Sequence, residues 1–178
     1  MALTATVYKV DLNLSDMDRQ VYLDTKLTLA CHPSETEERM MVRLLAWCFH
    51  ANEDLIFGKG LSTVDEPDLW HVAPSGVIEK WIEVGQPSVD KLKKGRSRST
   101  RQVIYSAGRG RDQWWHSVQE ALGAFTDLSV YHLSAGEVAE LAALAQKNMT
   151  LSVCISEGSA FISSAEHSVN ITPLTDIG

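Results

Sequence analysis

Apolar and polar residues alternate twice near the start of the chain, first at Tyr8, Val10, Leu12 and Leu14, then at Val21, Leu23, Leu27 and Leu29. A period of two puts every second side chain on one face, so both segments predict strands. Ser15-Asp16-Met17-Asp18 supplies turn residues between them, and the whole reads as a long N-terminal hairpin. The period then changes. Met41, Leu44, Leu45 and Cys48 recur at helical spacing, and Ser34-x-x-Glu37 ahead of them predicts a capping box. That helix should end near His50 to Asn52. Glu38 falls on the stripe of Met41, Leu45 and Cys48, which predicts a carboxylate turned toward the interior.

A loop containing Gly58 and Gly60 leads to two short strands, residues 69–73 and 77–84, joined through Pro74-Ser75-Gly76. Residues 102–106 predict another buried strand, 112–122 a helix and 128–133 a further strand. A second capping box, Ser134-x-x-Glu137, opens a helix carrying Val138, Leu141 and Ala145. The tail alternates again at Leu151, Val153 and Ile155, turns at Glu157-Gly158, and continues through Ile162, Val169 and Ile171. The order ββ-α-βββ-α-β-α-βββ predicts an α/β (α+β) fold with a mixed sheet, an N-terminal hairpin and C-terminal antiparallel strands. At 178 residues the chain is expected to form one domain, residues 1–178, with a real core.

Composition narrows the setting. No apolar run approaches the roughly 18–20 residues a membrane span needs, so no membrane partner is expected. The first eleven residues alternate rather than forming a charged head and an apolar block, so no signal peptide is expected and the cytoplasm is the expected location. Cys31, Cys48 and Cys154 are odd in number and far apart, and the histidines are scattered. Neither a disulfide framework nor a zinc site is indicated. The net charge of -7 argues against non-specific coating of nucleic acid. Yet residues 91–111 hold eight basic residues and none of the 23 acids. Lys93, Arg96, Arg98 and Arg101 in that stretch are candidate contacts to nucleic-acid phosphates. The alternative is a solvated segment that offsets the acidic remainder.

The paired strands carry the candidate chemistry. With the turn at Ser75-Gly76, Trp70 falls opposite Trp81 and Asp68 opposite Glu83. Directly opposed side chains lie about 4.5–5.5 Å apart, where like charges repel and a divalent cation would reverse the sign. Mg²⁺ or Mn²⁺ held by such a pair could polarise a phosphodiester and activate water.

Pro67-Asp68, fourteen residues, then Glu83-Val84-Gly85 resembles the PD-(D/E)XK nuclease motif. The elements from the first helix onward are similar to that superfamily's α-β-β-β-α-β core, where a first-helix glutamate often joins the metal site. The resemblance implies that Asp68 and Glu83 hold a metal and that Glu38 assists. From end to end the chain also resembles the YaeQ family, a compact variation on that fold. This rests on His32-Pro33-Ser34-Glu35-Thr36, Glu38-Arg39-Met40-Met41, Asp65-Glu66-Pro67-Asp68-Leu69-Trp70, Trp81-Ile82-Glu83-Val84-Gly85 and Trp114-Trp115. One departure matters. The motif's lysine, two residues past the glutamate, is Gly85 here. Lys91 and Lys94, three apart on a following helix, could share a face and supply the cation from there. Trp114 aligns with Val118 and Leu122 as core, leaving Trp115 more open. Two functions follow: a metal-dependent phosphodiesterase acting on nucleic acid, or a non-catalytic module that binds a protein partner or nucleic acid.

Overall fold

The computed structural model describes residues 4–59, 61 and 63–178; Gly60 of the predicted glycine loop lies outside the described residues. The fold is α+β, with two mixed sheets and, among the described residues, four α-helices. The chain forms two compact units, one from residues up to Ala51 with Ser134–Pro173, the other from Asn52–Leu133 with Leu174–Gly178.

The first unit is built on the predicted hairpin. Strands β1 (Thr6–Asp16) and β2 (Val21–Cys31) pair antiparallel without interruption from Thr6↔Cys31 to Asp16↔Val21. The tail adds β8 (Asn148–Ser156), β9 (Ser159–Ser163) and β10 (Ser168–Ile171), giving the order β10-β9-β8-β1-β2. β8 runs parallel to β1, and β9 and β10 are antiparallel to their neighbours. Alternate side chains, among them Val10, Leu12, Leu14, Leu151, Val153 and Ile155, are buried on one face. Helices α1 (Glu37–His50) and α4 (Ala135–Ala142) contact each other and strands of this sheet. The Ser134 capping box forms with Glu137 as predicted.

The first helix is capped differently from the expectation. Its N-cap is Thr36, whose hydroxyl accepts the Arg39 N–H at 3.1 Å. The reason lies in Glu35, which is drawn inward to pair with Arg39 at 2.9 Å and Arg43 at 2.7 Å. The chain at Ser34 is therefore still outside the helix. Glu38 also departs from its predicted orientation: it is exposed on the first turn of α1. Burial in this helix begins at Met40 and is unbroken to Cys48, so the stripe containing Glu38 is covered only beyond the first turn.

The second unit has the sheet order β11-β7-β6-β5-β4-β3. Its strands are β3 (Leu55–Phe57), β4 (Leu69–Val72), β5 (Ile78–Val84), β6 (Ser99–Ser106), β7 (Leu128–His132) and β11 (Leu174–Ile177). β5, β6 and β7 are parallel, joined by crossover helices α2 (Val89–Arg98) and α3 (Arg111–Leu122). β3, β4 and β11 join antiparallel at the two sides. Strands β3 and β11 are absent from the element order read from the sequence, and helix α2, expected only as the carrier of Lys91 and Lys94, has no place in that order. Ser88 caps α2 by accepting the Lys91 N–H at 3.2 Å, with Asp90 in the first turn and Arg96 and Arg98 in the last. Leu92, Ile104, Trp114, Val118, Leu122, Leu128 and Val130 form the core on this side of the sheet.

Helix α2 approaches the sheet closely at Gly95. A Cβ there would stand 2.4 Å from Gln102 Nε2 and 2.9 Å from Trp81 Nε1. Gln102 is fixed by donating to the Leu92 carbonyl at 3.0 Å, and Trp81 is fully buried. Gly95→Ala is therefore expected to destabilise the protein by about 1–3 kcal/mol in urea unfolding. At an unconstrained helix position the same change would stabilise by about 0.5–1 kcal/mol, so the sign alone checks the packing.

Candidate carboxylate–lysine site

The observed β4–β5 register matches the sequence reading: Leu69↔Ile82, Trp70↔Trp81 and His71↔Lys80. A register shift occurs between His71 and Val72, on the turn side, and leaves the opposite end undisturbed. One step beyond Leu69 the same register sets Asp68 against Glu83. Trp70 and Trp81 meet edge to face, 6.1 Å between centroids.

Both carboxyl groups are out of solvent, Asp68 at 0% and Glu83 at 1% exposure. Asp68 Oδ2 accepts the Val84 N–H at 2.8 Å. Glu83 Oε1 accepts Trp81 Nε1–H at 2.8 Å, and its Oε2 lies 3.3 Å from the Lys91 ammonium, whose side chain is 17% exposed. Burial, and then the Asp68 charge, push the Glu83 carboxyl up to about 7; Lys91 and the Trp81 hydrogen bond oppose the rise. The folded protein thus holds a proton on Glu83 that the unfolded chain releases between about 4.5 and 7. The sign follows from that: stability from this group is greatest below about 4.5, falls through the window, and levels above 7. The total change is about 3 kcal/mol. Urea unfolding of the unmodified protein and of Glu83→Gln across this window should diverge by that amount, and equal pH dependence would contradict the assignment.

The two candidate lysines part company. Lys91 reaches Glu83, whereas Lys94 forms an ion pair with exposed Asp65. The hydrogen bond from Lys94, followed by its charge, holds the Asp65 carboxyl below its usual range. Three other basic residues of the stretch also have local partners. Arg98 donates to the Asp65 carbonyl at 3.0 Å and stands 5.8 Å from the Trp81 ring centroid. Arg96 lies 4.7 Å over Phe125, and Arg101 donates to Ser129 Oγ at 2.8 Å. Lys93, Arg96, Arg98 and Arg101 are nonetheless exposed.

Glu38 belongs to the first unit and stands exposed there. Among the described residues no group of three or more His, Cys, Asp or Glu side chains is arranged to hold an ion. Trp114 is core, donating to the Pro87 carbonyl at 2.8 Å, and Trp115 is half-buried with Arg111 5.5 Å over its ring. A Ser-His-Asp arrangement is approached at Ser106, His132 and Asp176, but the Ser106 hydroxyl donates to the Tyr131 carbonyl and accepts Arg111 Nε–H. Its proton is not directed to a base. Sequence reasoning missed Trp81 and Gln102 as polar members of the site face. Their parity with Glu83 and Ile104 on adjacent strands was the available signal.

The sequence profile of the YaeQ protein family matches residues 1–173. The protein named uncharacterized protein YaeQ from Salmonella typhi is 41% identical over 172 residues, covering 96% of this chain and 95% of that one. Its namesake from Escherichia coli K12 is 39% identical with the same coverage. The crystal structure of the YaeQ protein from Xanthomonas axonopodis pv. citri superposes with a TM-score of 0.92 at 41% identity, covering 97% of this chain and 98% of that one. That from Pseudomonas syringae gives 0.93 at 39% identity, covering 98% and 97%. No helix among the described residues is long and apolar enough to cross a membrane.

Proposed function

The chain belongs to the YaeQ family, and we propose that in it Asp68, Glu83 and Lys91 form a PD-(D/E)XK-like site for metal-assisted cleavage of phosphodiesters. The observation that carries this reading is the gathering of two carboxylates from adjacent strands with one ammonium from the following helix. Burial and then the Asp68 charge raise the Glu83 pKa, and the single ammonium of Lys91 offsets only part of that rise. Two oxygen donors in each other's field are of the kind that would hold Mg²⁺ or Mn²⁺ together with water and substrate oxygens. Bound there, the ion would act as Lewis acid and lower the pKa of an attacking water.

The chain's own groups have separate tasks. Asp68, fixed by the Val84 N–H, and Glu83, fixed by Trp81, would hold the ion. Lys91 has the solvent exposure the two acids lack and would meet a phosphate oxygen as it enters, taking the place of the lysine missing at Gly85. Trp70 Nε1 is buried on the same face without an acceptor among the described residues, a donor suited to a second phosphate oxygen. Exposed Lys93, Arg96, Arg98 and Arg101 would contact the nucleic-acid backbone. Glu38, exposed on α1, has no part in this scheme.

A second reading, a binding module without catalysis, is favoured by one fact: Asp68 and Glu83 are sealed from water. Nicking assays on DNA and RNA with Mg²⁺ and Mn²⁺ separate the two. Metal-dependent cleavage that disappears in Glu83→Ala supports the enzyme. Salt-sensitive binding that survives Glu83→Ala, with no cleavage under either metal, supports the module.

A further inference from the structure

Strand β2 ends the sheet of the first unit, and its outer backbone edge is open among the described residues. Which residues line that edge follows from two hydrogen bonds. Lys9 N–H donates to the Lys147 carbonyl and Met17 N–H to the Ile155 carbonyl, both at 2.8 Å. Odd-numbered residues of β1 therefore turn their backbone groups toward β8, and even-numbered ones toward β2. In the observed register, even residues of β1 face odd residues of β2, as in Leu12↔Thr25 and Leu14↔Leu23. The N–H and C=O groups of Tyr22, Asp24, Lys26 and Thr28 consequently point to the outer edge. Arg43 covers the Ala30 carbonyl at one end, at 2.8 Å.

The strand carries few of the devices that protect an edge: no proline, no bulge across its eleven pairs, and no charge on its inner face. That face presents Val21, Leu23, Thr25 and Leu27, all half-buried. The outer face presents Tyr22 at 63% exposure and Lys26 with 89% of its side chain in water. Asp24 accepts from Asn13 Nδ2 at 2.6 Å, and Lys26 lies 3.7 Å from Asp11. Neither contact uses the outer backbone edge.

A second copy pairing antiparallel on this edge must match outward-pointing residues with outward-pointing residues. A two-fold axis at Asp24 would oppose two aspartates, and one at Lys26 would oppose two lysines, each about 4.5–5.5 Å apart. An axis at Thr25 instead sets Asp24 of each copy against Lys26 of the other. It also sets Tyr22 against Thr28 on the outer face and Leu23 against Leu27 on the inner face. We infer that β2 is a self-association edge, through which two copies of this chain pair antiparallel about Thr25 and join their sheets into one. The charge complementarity of Asp24 and Lys26, two residues apart on one face, selects this register and a second copy as the occupant. This inference is independent of the carboxylate site.

Sedimentation velocity tests it with the unmodified chain, Asp24→Lys, Lys26→Asp, and an equal mixture of the two variants. The unmodified chain should show a concentration-dependent dimer. Each variant alone opposes like charges twice and should associate about tenfold more weakly or less still. The mixture should recover the dimer, because each copy then supplies the sign the other lacks. Amide exchange in the unmodified chain reads the same edge: the N–H groups of Tyr22, Asp24, Lys26 and Thr28 should slow as concentration rises. A monomer at all concentrations to about 1 mM, a dimer indifferent to both variants, or exchange unchanged with concentration overturns the inference.

Discussion

Replacing Lys91 by methionine is expected to destabilise the protein by about 1 kcal/mol at pH 5 and by about 1–1.5 kcal/mol more than that at pH 8. Methionine keeps the stem of the lysine and removes its charge, so packing is largely conserved. At pH 8 the Glu83 carboxylate is ionised, buried and beside Asp68, and Lys91 is the cation 3.3 Å from it. Without that ammonium, Glu83 must either remain an uncompensated anion or take a proton against the solution pH. At pH 5 Glu83 already carries the proton, and the loss of Lys91 leaves little unpaired. Urea unfolding at the two pH values measures the difference. Equal losses at both would show that Lys91 acts by packing alone.

The second large effect is expected at Arg43, in the first unit. Its side chain is 6% exposed and holds Glu35, itself 2% exposed, through Nε at 2.7 Å and a terminal nitrogen at 2.9 Å. The same terminal nitrogen ties the Ala30 carbonyl of β2. Arg43→Met should cost about 3–5 kcal/mol, because it leaves Glu35 buried with the Arg39 contact remaining. Adding Glu35→Gln to Arg43→Met should recover much of the loss, since the anion is then gone. A double-mutant cycle in urea reads that coupling, and additive losses would mean the pair does not interact.

The elements with strong periodicity were legible in the sequence, and so was the contact that matters most. The register that faces Trp70 with Trp81 followed from one turn, where Gly76 adopts φ +88°, and from strict alternation away from it. Helix α2 was legible only as the helix expected to carry Lys91 and Lys94, without bounds, because only Leu92 and Gly95 of its ten residues are buried and no apolar stripe announces it. Its lysines could be seen as candidates, but the choice between them needed three dimensions: Lys91 turns over the sheet, while Lys94 turns to Asp65. Glu38 misled because helical spacing assigns a stripe and says nothing of how far along the helix that stripe is covered. The tail's alternation announced strands without their addresses. β8 runs parallel to β1 where antiparallel strands were expected, since alternation is the same whichever neighbour a strand finds, and β11, beyond the residues that alternate, joins the other sheet.

The direct test is the titration of the Glu83 carboxyl carbon, followed by NMR in the unmodified protein with and without Mg²⁺ or Mg²⁺-competing Ca²⁺. The account predicts a midpoint near 7 in the absence of the ion. It predicts a lower midpoint with Mg²⁺, since cation and proton compete for the same oxygens. A midpoint at the ordinary 4.5, or one that divalent ions leave unmoved, would contradict it.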